Sequence, residues 1–375
     1  MVRFVIATLF TLFMRAALAG DYEDGVAAVE RKEYSKAFEK FIRSAQQGNR
    51  DAQNLTAEMY LDGIGVTQDY KHAFYWYKKA ADQGHALAKY NLGIMYRDGM
   101  GVEKDYKEAF RWFESAAEQG LARAQAILGA MYYSGNGVAQ DYKEAVRWYQ
   151  LAAQQGYKEA QYNLGVMYYN GEGVEQDYKE TMLWYLLAAV QGHTQAQFNL
   201  GFMYYNGQGV AQDYKEAVRW YQLAAKQGMA KAQNNVGLMY VDGRGVEQDF
   251  KEAVRWFLLA AEKFNAQSQF NLGLMYYNGN GVAKDYTEAM RWHLLAAKQG
   301  FASAQEKVGS MYGVGHGVAK DYVRAYMWLY IADIPEDENK INIRYLIASK
   351  MTAQQIEQAQ RMARECMSSN YTKCD

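Results

Sequence analysis

The sequence predicts an all-α fold, a right-handed superhelical α-solenoid built from tandem antiparallel helix pairs. Three observations predict it. The tryptophans Trp76, Trp112, Trp148, Trp184, Trp220, Trp256, Trp292 and Trp328 follow one another at a constant interval of 36 residues, and the chain has no others. A fixed period of about 20–50 residues marks units that bury their apolar faces only by stacking on their neighbours. Within each period, apolar residues recur at helical spacing in two runs, and glycines punctuate the links between the runs. No β-rich run competes with this pattern.

The elements follow in order. Residues 1–19, "MVRFVIATLFTLFMRAALA", place Arg3 before an apolar run that ends at Met14, with Ala17-Leu18-Ala19 before Gly20. This is a signal-peptide pattern cleaved after Ala19. The run is too short to span a bilayer, which takes about 20 residues, so no stable membrane insertion is expected after cleavage; an uncleaved anchor is the alternative. Residues 20–50 read as an N-terminal capping helix pair, because the link lacks the "GxGV" of the later units and Lys40-Phe41 stands where Trp-Tyr is expected. Residues 51–335 hold eight repeats, and residues 336–375 read as C-terminal capping helices and a tail.

Residues 160–193 serve as the type unit. "AQYNLGVMYYNG" is helix A, with Leu164, Met167 and Tyr168 at helical spacing and Gly165 where a partner helix approaches. Gly171 and Gly173 bracket one variable residue in a loop that calls for positive φ. Asp177 is placed to cap helix B, with Glu180 positioned to reach back as a capping box. Helix B carries Trp184, Tyr185, Ala188 and Ala189 and stops at Gly192. Phe264 replaces that glycine once, and the cap is expected to shift to Asn265.

The phrase "AQYNLGVMYYNGEGVEQDYKE…WY…AA…G" and its copies resemble the Sel1-like repeat family, which is related to the tetratricopeptide repeats. The resemblance covers roughly residues 22–365. It implies a protein-interaction scaffold or adaptor without turnover, exported to the bacterial periplasm or secreted, that binds a protein partner along its concave face. In the related tetratricopeptide repeats helix A lines that face. The corresponding stripe offers Tyr90, Tyr133, Tyr162, Tyr169, Asn170, Phe198, Tyr205, Asn206, Phe270, Tyr277 and Asn278 as partner-binding residues. The same register includes Glu58, Asp62, Phe202, Leu238 and Asp242. Aromatic rings give contact area at low entropic cost, and Asn supplies adaptable hydrogen bonds. The competing reading is that neighbouring repeats cover part of this stripe.

Two other functions are open at this stage. Aromatic and Asn groups also suit a glycan such as peptidoglycan or an exopolysaccharide. Cysteine-rich relatives suggest a β-lactamase-like hydrolase, but no serine here has a lysine three residues on, and neither G-x-S-x-G, H-E-x-x-H nor a Walker A run occurs. His72, His85, His193, His293 and His316 are scattered over several repeats, so no catalytic or metal cluster and no cofactor is expected. Net charge is near zero, which gives no sign of a nucleic-acid partner. Cys366 and Cys374 are the only cysteines. In an oxidising compartment they form a disulfide candidate.

Overall fold

The computed structural model describes residues 20–332 and 343–374. The expected signal peptide, and the expected junction of the last repeat with the C-terminal cap near residue 335, lie outside them. Two compact units divide the chain, the first ending at Gln191 and the second beginning at Gly192. The described residues form helices and no strand. The first unit holds α1 (20–30), α2 (Tyr34–Gln46), α3 (Arg50–Asp62), α4 (Tyr70–Asp82), α5 (Ala86–Asp98), α6 (Tyr106–Ala117), α7 (Ala122–Ser134), α8 (Tyr142–Gln154), α9 (Lys158–Asn170) and α10 (Tyr178–Val190). The second holds α11 (Thr194–Asn206), α12 (Tyr214–Lys226), α13 (Ala230–Asp242), α14 (Phe250–Ala261), α15 (Ala266–Asn278), α16 (Tyr286–Ala297), α17 (Ala302–Val314), α18 (Tyr322–Ile331), α19 (Ile343–Ala348) and α20 (Ala353–Ser368). From α2 to α10 and from α11 to α19 each helix packs on the next one in sequence, as a solenoid of helix pairs requires, and α20 packs on α18. From α1 to α18 the odd helices are A and the even ones B.

In the type unit the glycines act as the sequence implies. Gly171 ends α9 in the left-handed region at φ 74°. A Cβ on Gly173 would lie 2.3 Å from the Tyr142 carbonyl oxygen of the preceding repeat, so this glycine lets the loop of one repeat seat on the B helix of another. A Cβ on Gly165 would lie 2.6 Å from the Tyr185 ring, so this glycine sets the spacing of A on B. Ala188 and Ala189 are buried where the B helix meets its neighbours, and most of the repeated tryptophans are buried beside them.

The aspartate caps form, but the capping box does not. Asp177 accepts from the backbone N–H groups of Lys179 and Glu180. Glu180 does not reach back, because the Asp177 N–H already donates to the Tyr168 carbonyl at 3.0 Å. With no backbone donor to satisfy there, the glutamate turns along its own helix. Glu144 pairs with Arg147 at 2.8 Å, and Glu180 accepts from the Trp184 indole at 3.0 Å. The cap at Phe264 also differs from expectation. Phe264 itself adopts φ 59°, because Asn265 is committed to capping α15, accepting from the Ser268 N–H at 2.8 Å.

Within the units a glutamine relay joins several repeats to the previous one. Gln161, only 4 % exposed, donates to the Ala153 carbonyl at the end of α8 and accepts from Gln191 at 2.8 Å. Gln53, Gln125, Gln197 and Gln269 receive the same bond from Gln83, Gln155, Gln227 and Gln299. The relay satisfies carbonyls that a helix end would otherwise bury unpaired. At the C-terminal end α20 buries Ala359, Ala363 and Cys366 in one cluster with Trp328 and Leu329 of α18. Cys366 and Cys374 are disulfide-bonded.

Candidate functional site: clefts between successive A helices

The A-helix stripe separates into three kinds of position. Tyr90, Tyr162, Phe198 and Phe270 are half-buried, each packed on the B-helix residue of its own pair: Phe113, Tyr185, Tyr221 and His293, at ring separations of 5.3–5.7 Å. Tyr133, Tyr169, Tyr205 and Tyr277 are also half-buried, against the first residue of the B helix, Tyr142, Tyr178, Tyr214 and Tyr286, at 5.0–5.4 Å. Asn170, Asn206 and Asn278 are exposed. Asn170 donates to Glu172 at 3.2 Å, and Asn206 donates to the Phe202 carbonyl at 2.9 Å.

The hydroxyls of Tyr133, Tyr205 and Tyr277 reach into the next repeat. Tyr133 donates to Glu172, whose bond pushes the phenol pKa up after burial has done so. Arg244 donates to Tyr205, and the Tyr277 hydroxyl is hydrogen-bonded to His316 Nδ1 at 3.0 Å. In all three the partner is the single variable residue between the two loop glycines. That residue reads in sequence only as part of a turn, and its reach onto the stripe is not visible there.

Two clefts open between successive A helices, one in each unit, and they are built alike. The cleft in the second unit, about 220 Å³, lies between α11 and α13 over Tyr221 of α12. Its walls are Phe202, Tyr205, Leu238 and Met239, and Asn206, Asn235 and Asp242 bring polar groups to it. Phe202 and Leu238 are 41 % and 37 % exposed. Asn235 hydrogen-bonds the Tyr221 hydroxyl, whose pKa burial drives far up. The cleft in the first unit, about 340 Å³, lies between α1 and α3 over Phe41. Leu55, Glu58, Met59 and Asp62 line it, at positions 180 residues before Asn235, Leu238, Met239 and Asp242. Phe202, Tyr205, Asn206, Leu238 and Asp242 stand in the stripe drawn from the sequence. Tyr221, Asn235 and Met239 do not, since the cleft floor belongs to a B helix and to the packing face of α13.

The histidines serve the scaffold. His85 and His193 cap α5 and α11 by accepting from Ala88 and Ala196. His72 pairs with Asp69 at 2.7 Å, and His316 stacks on Tyr286 at 4.3 Å. His293 is fully buried, with neither ring nitrogen hydrogen-bonded among the described residues. Burial first and the nearby Lys307 second push its pKa down to about 3.

A family model described as the Sel1 repeat matches nine consecutive segments, residues 15–49, 50–85, 86–121, 122–157, 158–193, 194–229, 230–263, 266–301 and 302–332. The chain belongs to the Sel1 repeat family. Its first matched segment includes the helix pair that the sequence sets apart as a cap. Among solved structures, this Sel1 repeat chain resembles a protective antigen present in uropathogenic Escherichia coli strains, described as displaying an SLR fold. That likeness has 30% identity and a TM-score of 0.61 and covers 96% of this chain and 86% of the other. A Sel1 repeat protein from Oxalobacter formigenes is similar at 33% identity and a TM-score of 0.63, covering 82% of this chain and 90% of that one. A search of curated proteins finds no match. No helix among the described residues is long and apolar enough to cross a membrane.

Proposed function

We propose that this Sel1 repeat chain is an exported, non-enzymatic scaffold that binds a protein partner along its A-helix face. The observation that carries the reading is the pair of like-built clefts. Each is an apolar slot between successive A helices with a few polar groups at its edge, the form that side-chain docking sites take. Phe202 and Leu238 leave apolar surface in water beside Asn206 and Asp242, surface that a partner side chain seated in the cleft would cover. The apolar N-terminal segment and the Cys366–Cys374 disulfide support export, because disulfides persist in oxidising compartments.

The test is crosslinking capture from the exported fraction, with wild-type chain beside the double variant Phe202→Ala, Leu238→Ala. Neither side chain is part of the buried core, so the fold is expected to survive, which circular dichroism checks. One protein lost from the variant alone supports the reading. Equal capture by both baits moves the site away from the cleft. Binding of peptidoglycan fragments by the wild type, lost in the same variant, replaces the protein partner with a glycan.

A further inference from the structure

The two clefts differ in one respect that points to what the first one accepts. In the second unit Asp242 is paired within the chain. Arg244 Nε lies 3.4 Å from its carboxylate, and the guanidinium sits 5.7 Å from the ring centres of both Tyr205 and Tyr214. In the first unit the corresponding aspartate is Asp62, and the residue in the place of Arg244 is Ile64. Tyr34 is in the place of Tyr214, since Gly65 and Gly245 seat on their carbonyls in the same way, with Cβ positions 2.3 and 2.2 Å from the oxygen. A second carboxylate, Glu58, replaces Leu238. Among the described residues neither Glu58 nor Asp62 has an ion-pair partner. Glu58 accepts only from the Asn54 amide at 2.9 Å. Burial pushes the Glu58 pKa up, the Asn54 hydrogen bond opposes it, and Asp62 adds a smaller push upward, so a cation here would be stabilised by both carboxylates. The Tyr34 ring and the Ile64 side chain at the rim are 41 % and 42 % exposed.

We propose that the first-unit cleft binds an arginine side chain of the protein partner, its aliphatic stem along Met59 and Leu55 and its guanidinium over Tyr34 against Asp62 and Glu58. In the second unit the chain's own Arg244 shows the part of this arrangement made by the aspartate and the tyrosine ring; it also donates to Tyr205, where the first unit has Gly25. A planar guanidinium suits it better than an ammonium, because it donates to two carboxylates and stacks on a ring together. The inference rests on the scaffold reading and deepens it by naming what the partner presents.

The experiment is a titration of the full chain with N-acetyl-arginine amide, followed through the methyl resonances of Met59 and Ile64. N-acetyl-citrulline amide, a neutral isostere, and N-acetyl-lysine amide are the comparisons. Saturable shifts are expected with the arginine probe, at affinity about tenfold or more above citrulline and several-fold above lysine. The variant Glu58→Gln, Asp62→Asn is expected to weaken the arginine probe about tenfold or more. Ile64→Arg, which supplies the guanidinium from within, is expected to abolish its binding. Absence of saturable shifts, equal binding of citrulline or lysine, or undiminished binding by either variant overturns the proposal. Such a result alongside capture that still depends on Phe202 and Leu238 leaves the scaffold reading in place; loss of that dependence as well removes both.

Discussion

His293 occupies the B-helix position filled by Phe113, Tyr149, Tyr185, Tyr221 and Phe257 in other repeats, and it makes stability depend on pH. The ring is fully buried, Phe270 lies 5.3 Å away, and a Cβ on Gly273 would lie 2.5 Å from Cε1. The folded-state pKa is about 3, against about 6.5 in an unfolded chain. Because the folded value is the lower one, the unfolded state takes up the proton first as pH falls. The stability is present in full above about pH 6.5 and is lost progressively toward pH 3. By pH 5 the linkage amounts to about 2 kcal/mol. Phe fits the same cradle, as Phe257 does against Gly237. His293→Phe is therefore expected to remove that loss. At neutral pH it is also expected to gain about 1–3 kcal/mol, by deleting two buried unpaired nitrogens. Urea midpoints at pH 7.5 and pH 5.0 measure it. Hydrogen exchange in α15 and α16 confirms the location, because opening in a repeat array is local. Parallel pH profiles for wild type and variant would refute the reasoning.

Other positions give sharper local tests. Phe264→Gly is expected to stabilise by about 1 kcal/mol, since the ring is 78 % exposed at φ 59° and only the strained conformation is relieved; a lower urea midpoint would contradict this. Gly173→Ala is expected to cost at least about 2 kcal/mol, from positive φ and from the 2.3 Å approach to the Tyr142 carbonyl, read as a drop in melting temperature. Gln161→Ala is expected to cost about 1–3 kcal/mol because the Ala153 carbonyl loses its donor. Gln191→Ala, at an exposed end of the same relay, is expected to cost less, and equal losses would argue against the relay.

The period, the helix pairs and the glycine links are legible in the sequence because each depends on one residue type at one place in a local geometry. Gly165 is a clear case: its need follows from helix spacing alone. The capping box failed because its backbone donor is taken by the Tyr168 carbonyl, a bond across the loop that no local pattern encodes. The glutamines of "AQ" and "QG" recur at 36-residue intervals, with Lys89 and Lys263 as the exceptions, so the signal for the relay is present. Pairing them required knowing that the start of an A helix meets the ends of two B helices. The stripe located the cleft walls through Phe202, Leu238 and Asp242. It missed the floor at Tyr221 and Asn235, since helical periodicity describes one helix and a cleft is made by three.

The residue between the two loop glycines has a consequence for how this chain can change. The flanking glycines are held by their backbone, and the helices by their cores, so neither tolerates variation. The residue between them faces no such demand, yet in three repeats it lands on a tyrosine of the repeat before: Glu172 on Tyr133, Arg244 on Tyr205 and His316 on Tyr277. Acid, base and imidazole are thus exchanged on one framework by changing one codon per repeat. An array built this way can alter the chemistry it offers to a partner, one repeat at a time, without renegotiating its fold.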